Sequence, residues 1–305
     1  MRHPGKPFRW NTANPKLIQR LGQGEIQTLP DYQIDRLIRC AATTLRAGDF
    51  DFVFVGRSLE SVFDLLSGAL ARTTWYDRIQ QLQISAQGNQ SILDLREEYL
   101  AFYRDFLWAP RSLEPFGSKL DAFHNYLEYL QLTPEKLMSR TRSIAFVDVV
   151  WKGTTFGAIW DLLQVFAKAS DISAAELAAR IHWVAVIPKL PDDDPDTPWE
   201  ASRSDWTQAF PTSVHCVNLD PELWFQLANS QFKTTPSHHV SQWDQNSKPP
   251  ETGEHYYDAA RGAREFYRRG ERSRKRLAAL LDESPEPKDC VKHLARELRR
   301  EEKQY

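Results

Sequence analysis

Short strand-like segments alternate with amphipathic helical patterns along much of this chain, and this alternation constrains the fold more than any other sequence feature. Four segments have the length of a strand, namely "FDFVFVG", "RIQQLQIS", "SIAFVDVV" and "HWVAVIP". Helical patterns separate them, with apolar residues three and four positions apart over residues 31–47 and 156–170. Strands that alternate with helices form a parallel sheet joined by crossover helices. The sequence therefore predicts an α/β fold with a central parallel sheet, flanking helices and Rossmann-like topology.

Composition along the chain predicts three parts. Residues 1–30 contain Pro, Gln and Gly without a clear periodicity, and we assign them to a hood over the core. The alternating core covers residues 31–188 and includes a helical insertion at about 91–141. An acidic, Pro-rich stretch follows, and residues 189–305 are assigned to a C-terminal hood with charged helices. This last part holds one further strand-like segment, "SVHCVNL", and one continuous basic helix over residues 255–281.

Charge and cysteine content exclude several classes of protein. The 305-residue chain has a formal net charge of −2, so no overall basic field favours nucleic acid or an acidic membrane surface. Its apolar runs are far shorter than the roughly 20 residues that span a bilayer, which predicts no membrane association. The three cysteines, Cys40, Cys216 and Cys290, are far apart and odd in number, so we expect no disulfide framework and a cytoplasmic location. Homo-oligomerisation is left open.

The stretch "FVDVVWKGTTF", from Phe146 to Phe156, combines a strand end, a turn and a helix start. Backbone N–H groups at a helix N-terminus point outward, and the helix dipole adds partial positive charge there. Gly153 permits a tight turn, while the hydroxyls of Thr154 and Thr155 add hydrogen-bond donors. Asp148 lies at the strand end, where a carboxylate accepts hydrogen bonds from sugar hydroxyls or holds hydrated Mg²⁺. These residue types suit a ligand with a phosphate and a polyol, although similar turns with a threonine N-cap also occur where nothing binds.

The same stretch resembles the signature of type I phosphoribosyltransferases, in which a hydrophobic strand, two acidic residues and a Thr/Gly-rich loop lead into a helix. In that family the loop binds the 5-phosphate of phosphoribosyl pyrophosphate (PRPP), and the acidic pair contacts the ribose hydroxyls. Asp148 matches the second acidic position, whereas Val147 stands at the first, which removes one sugar contact. Val149 and Val150 match the hydrophobic positions, and the phosphate loop is matched by Trp151, Lys152, Gly153, Thr154 and Thr155.

The segment "DFVFVGRSLESVFDLL" resembles the pyrophosphate loop of the same family, which follows the first strand. The resemblance implies that Gly56 allows close approach of the diphosphate. It also implies that the amides near Arg57 and Ser58 bind the diphosphate together with the Arg57 guanidinium. The order of elements fits as well, so the resemblance covers about residues 31–188. One feature departs from the family, since "AQGNQ" follows the second strand where a mobile basic loop is expected, and the substitute cations could be Arg96, Arg104 or Arg111.

The resemblance implies PRPP-dependent phosphoribosyl transfer to an unidentified acceptor, with Mg²⁺ bound together with PRPP. Asp148 and Arg57 are the implied catalytic residues. The alternative is a non-catalytic phosphoribosyltransferase-like module that binds PRPP or a nucleotide as an effector, or acts through protein partners. Val147 and the missing basic loop favour this alternative. The implied ligand-binding residues are Gly56, Ser58, Lys152, Gly153, Thr154 and Thr155.

Three other functions have weaker sequence support. "GRSLE" lacks the last glycine of a nucleophile elbow, which disfavours a serine hydrolase. Adjacent pairs of histidine and cysteine lack the spacing of zinc ligands, and His238 and His239, with Trp243, are equally compatible with an acceptor pocket or an aromatic cluster. Residues 257–276 form a basic helix with interleaved aromatic residues that could bind nucleic acid. A solvated helix that pairs with the acidic 192–196 loop or the charged tail is the favoured interpretation.

Overall fold

One five-stranded parallel sheet forms the centre of the protein, with strand order β2-β1-β3-β4-β5. The structure, a computed structural model, describes residues 29–82, 117–150, 153–189, 214–230, 256–283 and 288–300. Each neighbouring pair of strands is parallel. The parallel α/β prediction is therefore confirmed. The strands are β1 (Asp51–Val55), β2 (Ile79–Leu82), β3 (Ile144–Val149), β4 (Ile181–Pro188) and β5 (Val214–Leu219).

Helices cover both faces of this sheet. The apolar cluster on one face includes residues of α1 (Asp31–Arg46), α2 (Glu60–Ala69), α7 (Pro221–Phe225), α8 (Tyr256–Arg272), α9 (Arg274–Asp282) and α10 (Asp289–Arg299). The other face packs against α3 (Gly117–Tyr129), α4 (Pro134–Ser139), α5 (Thr154–Ala169) and α6 (Ala174–Ala178). Two apolar clusters, one on each face, form the core of this three-layer arrangement.

Burial on both faces explains why β1, β3 and β4 are almost continuously apolar. In β3, Ala145 and Val147 join the cluster beside α1 and α2, whereas Ile144 and Phe146 join the cluster beside α5. Alternate side chains of a strand point to opposite faces, so a strand covered on both faces needs apolar residues at successive positions. Asp148 is the exception in β3, and its side chain lies on the same face as Phe146.

The sheet continues past the predicted end of the core, and parts of the predicted hood and insertion lie outside the described residues. β5 begins at Val214, past the predicted end of the core at residue 188, and it pairs with β4 in the same sheet. The helices α3 and α4 lie within the predicted insertion, and Phe123 and Leu127 of α3 are fully buried in the core. Residues 1–28 and 83–116, which include part of the predicted hood and insertion, lie outside the described residues.

The basic C-terminal segment forms two helices, so the prediction of one continuous helix over residues 255–281 is wrong. The break is at Ser273, whose N–H donates to the carbonyls of both Arg269 and Gly270. Gly and Ser close together favour such a kink. On either side of this break, α8 packs against α2, whereas α9 packs against α1 and α10. Tertiary packing therefore decides where this helix ends.

Candidate functional site

The turn after β1 is held by hydrogen bonds to the neighbouring strand β2. Gly56 follows the last residue of β1 and has a φ of 68°, which favours glycine over any L-residue with a side chain. Its N–H donates to the carbonyl of Leu82 (2.8 Å), and its carbonyl accepts from Nε2 of Gln81 (3.0 Å). Arg57 and Ser58 follow in the turn, both partly exposed, and α2 begins at Glu60. The turn therefore has a fixed backbone and presents polar residues at its surface.

The turn after β3 has a similar construction. Gly153 is the N-cap of α5 and has a φ of 72°, again in the left-handed region. The first hydrogen bond of the helix runs from the N–H of Gly157 to the carbonyl of Gly153 (2.9 Å). An α-helix leaves the N–H groups of its first turn without intrahelical acceptors, and such groups can donate to an anion. Thr154 and Thr155 are the first two residues of α5, whereas Lys152 lies outside the described residues.

These two turns lie side by side at one edge of the sheet. β1 and β3 are neighbouring parallel strands, with Phe54 opposite Val147. Neighbouring strands are about 4.8 Å apart, so their carboxyl ends place Gly56 and the end of β3 at the same edge. The chain then leaves β1 toward α2 on one face and leaves β3 toward α5 on the other. We call the space between these two turns the crevice, because the point where neighbouring connections diverge is the usual ligand position in a sheet of this strand order.

Asp148 is a buried carboxyl group at the end of β3. Its residue is 7% exposed, and its Oδ1 accepts a hydrogen bond from the N–H of Val149 (2.7 Å). Burial raises the pKa of Asp148 well above the ordinary value of an aspartate, while the Val149 N–H opposes part of that rise. Ala185 of β4 lies opposite Asp148. A carboxyl group in this position is desolvated and lies at the crevice edge of the sheet.

Val147 stands where the signature of the resembled family has its first acidic residue, and it is fully buried against α1 and α2. Successive residues of a strand point to opposite faces, so Val147 points away from the face that Asp148 occupies. An acidic side chain at position 147 would lie in an apolar cluster without compensation, which is unfavourable. Valine at this position is therefore what the packing of this sheet requires.

Gln81 and the buried acidic residues of α2 were not predicted from the sequence as part of this region. Gln81 is fully buried, and Glu60 and Asp64 are 4% and 2% exposed. A glutamine in the interior of a strand is a recognisable signal, since glutamine is seldom fully buried without a specific partner. The two acidic residues had no such signal, because their spacing is that of an ordinary exposed helix face. Their burial comes from α8, which covers α2 from the side opposite the sheet.

The groups considered for zinc do not come together in the part of the chain that the structure describes, where no cluster of three or more His, Cys, Asp or Glu is found. His215 and Cys216 are consecutive in β5, so their side chains point to opposite faces. His215 lies beside Phe50 at the amino edge of the sheet, with ring centroids 6.2 Å apart. The predicted loop residues His238, His239 and Trp243 lie outside the described residues, as do Arg96, Arg104 and Arg111.

The basic segment, residues 257–276, contributes to the core, and two of its arginines form ion pairs with acidic residues of α1. Arg269 contacts Asp31 (2.6 Å), and Arg276 contacts Asp35 (3.0 Å). The second pair lowers the pKa of the Asp35 carboxyl, chiefly through the hydrogen bond from the Arg276 guanidinium. The expected pairing with the acidic 192–196 loop lies outside the described residues. Nucleic-acid binding by residues 257–276 stays a prediction.

An Asp148→Asn variant is expected to be more stable than the wild type at pH 7.5, by about 1 kcal/mol. The raised pKa means that the folded chain holds this proton more tightly than the unfolded chain does. Stability from Asp148 is therefore full below the unfolded pKa and is lost as pH rises through the folded pKa. Urea unfolding at pH 7.5 and at pH 4 measures the effect, and the difference between the two proteins is expected to shrink at pH 4.

The matched control for this comparison is Asp121→Asn, which changes an exposed carboxylate of α3. It is expected to alter stability by less than about 0.5 kcal/mol at either pH. A wild type that is more stable than Asp148→Asn at pH 7.5 would contradict the assignment of Asp148 as a desolvated, uncompensated carboxyl group.

Comparison of the whole chain with protein-family models, with curated proteins and with solved structures finds no match. A functional proposal for this chain therefore depends on the two turns and Asp148. Within the described residues, no helix is long and apolar enough to cross a membrane. All three cysteines are free thiols.

Proposed function

We propose that this chain binds PRPP in the crevice between the turns after β1 and β3, and transfers the phosphoribosyl group to an acceptor with release of pyrophosphate. The observation that carries this proposal is the pairing of two left-handed glycine turns at the ends of adjacent parallel strands. Gly56 and Gly153 have similar φ values, 68° and 72°, and each precedes a helix on a different face. Asp148 lies at the same edge. PRPP carries an anionic group at each end of a sugar, which matches this arrangement.

The turn after β3 is suited to the 5-phosphate. The first-turn amides of α5 donate to phosphate oxygens, and the 16-residue helix adds its dipole. Gly153 leaves room for close approach, as the sequence signature implies. Thr155 is partly exposed in the first turn of α5 and supplies a hydroxyl.

The turn after β1 is suited to the diphosphate. Arg57 and Ser58 are partly exposed there, and an arginine beside backbone amides stabilises a developing diphosphate charge. During transfer the bond from C1 of the ribose to the diphosphate oxygen breaks, and its electron pair leaves with pyrophosphate. The acceptor nucleophile supplies an electron pair to C1 and loses its proton to a base or to water.

Asp148 is proposed to accept hydrogen bonds from the ribose hydroxyls. Hydroxyl donors stabilise the charged carboxylate, whereas burial in the free protein favours the neutral acid. Ligand binding would therefore lower the pKa of Asp148 and release a proton. PRPP affinity is expected to rise with pH until Asp148 is ionised in the free protein.

The donor set at this edge fits Mg²⁺ bound through the ligand. Mg²⁺ sites that use substrate phosphates commonly need only one or two protein carboxylates, and Asp148 supplies one at the crevice edge. When bound, Mg²⁺ would neutralise part of the diphosphate charge. The protein groups proposed to orient the ligand remain the two turns and Asp148.

Isothermal titration with PRPP in the presence of Mg²⁺ tests the proposal. The wild type is expected to bind with a micromolar dissociation constant, equal to about −8 kcal/mol. Asp148→Asn is expected to weaken PRPP binding by about tenfold through loss of a charged acceptor. Asp121→Asn, on the exposed surface of α3, is expected to bind as the wild type does. Absence of PRPP binding by the wild type would reject the proposal.

Burial of Val147 favours a second candidate, a module that binds PRPP or a nucleotide as an effector without turning it over. The first acidic residue of the family signature is absent, and its position faces the core. Pyrophosphate release from PRPP in the presence of candidate bases, or of a metabolite extract, separates the two functions. Binding without release under all conditions would support the effector module.

A further inference from the structure

The side chain of Gln81 connects strand β2 to the turn after β1. It lies in β2, directly opposite Phe54 of β1, and it is fully buried. Its Nε2 donates to the carbonyl of Gly56 at 3.0 Å. A buried amide is costly unless its hydrogen bonds are made, so its presence here indicates a specific task. That task involves the first peptide of the turn.

The hydrogen bond fixes the direction of the peptide that joins Gly56 to Arg57. No cis peptide is found among the described residues, and in a trans peptide the carbonyl and the N–H point in opposite directions. The Gly56 carbonyl is held toward β2 by Gln81, so the N–H of Arg57 points the other way. On its other side, Gly56 is tied to β2 through its own N–H and the carbonyl of Leu82. The peptides before and after Gly56 are therefore each tied to β2 by one hydrogen bond.

We propose that Gln81 is a positioning residue that makes this turn selective for an anion, and specifically for the diphosphate end of the ligand. With the Gly56 carbonyl held inward, its partial negative charge is turned away from the ligand. Without that hold, a reversed peptide would present a carbonyl oxygen to the diphosphate, and the two would repel. This inference rests on the proposed function, because it assigns the source of diphosphate selectivity at the same site.

The two ends of PRPP provide a readout that a general loss of stability would not produce. Pyrophosphate is proposed to occupy only the turn after β1, whereas ribose 5-phosphate is proposed to occupy the turn after β3. A residue that only supports the fold would weaken both ligands together. Gln81 acts on one turn, so its loss is expected to weaken pyrophosphate alone.

The first test is Gln81→Met, which keeps an unbranched side chain of similar length and removes the donor. Titration with Mg²⁺ and pyrophosphate is expected to show at least tenfold weaker binding, with less than a twofold change for ribose 5-phosphate. The matched control is Gln80→Met. Gln80 is the preceding residue of β2 and lies opposite Val53, with its side chain on the other face of the sheet. This control is expected to leave the ratio of the two affinities unchanged.

The second test is Gln81→Glu, which also serves if the methionine variant does not fold. An ionised glutamate cannot donate to the Gly56 carbonyl, whereas a protonated one can. Pyrophosphate binding, expressed relative to the wild type at each pH, is therefore expected to recover as pH is lowered from 8 to 5. Ribose 5-phosphate binding, expressed in the same way, is expected to stay flat.

The outcomes separate the inference from the proposed function. A wild type that binds both ligands, with Gln81 variants that weaken both equally or neither, overturns the role of Gln81 and leaves the proposed function standing. A wild type that binds neither pyrophosphate nor ribose 5-phosphate overturns the proposed function, and the inference with it.

Discussion

A Gly68→Ala variant is expected to unfold with a free energy about 2 kcal/mol lower than the wild type, although alanine favours helices more than glycine does. The reason is the crossing of α2 and α8. A Cβ atom at Gly68 would lie 1.9 Å from the carbonyl oxygen of Tyr267, and one at Gly270 would lie 1.9 Å from the carbonyl oxygen of Leu65. These neighbours are backbone atoms, so the helices themselves must separate to make room.

Separation of these helices is costly because α2 is buried along its whole length, between the sheet and α8. Moving α8 outward loses contacts along the crossing and leaves gaps that nearby side chains cannot fill. Gly270→Ala is expected to destabilise by a similar amount. The double variant is expected to cost less than the sum of the two, since the first substitution already opens the interface that the second needs.

Urea unfolding of Gly68→Ala, Gly270→Ala and the double variant measures these effects. Arg268→Ala is the matched control, because it also introduces alanine in α8 but at an exposed position. Its expected change is within about 0.5 kcal/mol. Wild-type stability in Gly68→Ala would show that the two helices do not approach as closely as described.

A Gly153→Val variant is expected to bind PRPP about 10- to 100-fold more weakly than the wild type, equal to about 1.4–2.8 kcal/mol. Gly153 has a φ of 72°, and an L-residue in the left-handed region costs roughly 1–2 kcal/mol. Valine adds the restriction of a branched Cβ. The chain can relieve this strain by rotating the peptide before α5, which would turn the first-turn amides away from the 5-phosphate.

The ligand dependence of this loss distinguishes it from a general effect on folding. Ribose 5-phosphate binding is expected to fall with PRPP binding, whereas pyrophosphate binding is expected to change by less than twofold. Lys168→Ala, at the opposite end of α5, is the control for changes to the same helix, and it is expected to retain PRPP affinity. If valine at position 153 left the affinity for ribose 5-phosphate intact, the assignment of this turn to the 5-phosphate would be wrong.

Local sequence determined the elements that form the crevice. The apolar run before Asp148 predicted β3, and the turn residues predicted the start of α5 within two residues of Thr154. Gly153 was identified from sequence because glycine permits a tight turn, and Gly56 because the resemblance implies close approach of a diphosphate there. The parallel sheet followed from alternation alone, since parallel strands require a crossover between them. These features depend on neighbours within a few residues, and such patterns are visible in one sequence.

Tertiary structure alone decided which residues meet across the sheet. Gln81 and Gly56 are 25 positions apart, and their hydrogen bond depends on the register of β1 against β2. The break at Ser273 and the contacts of Gly68 with α8 depend on packing between segments about 200 residues apart. Periodicity shows which face of an element is apolar, but the partner of that face is set by packing of the whole core. The desolvation that raises the pKa of Asp148 likewise comes from that packing, which no local pattern contains.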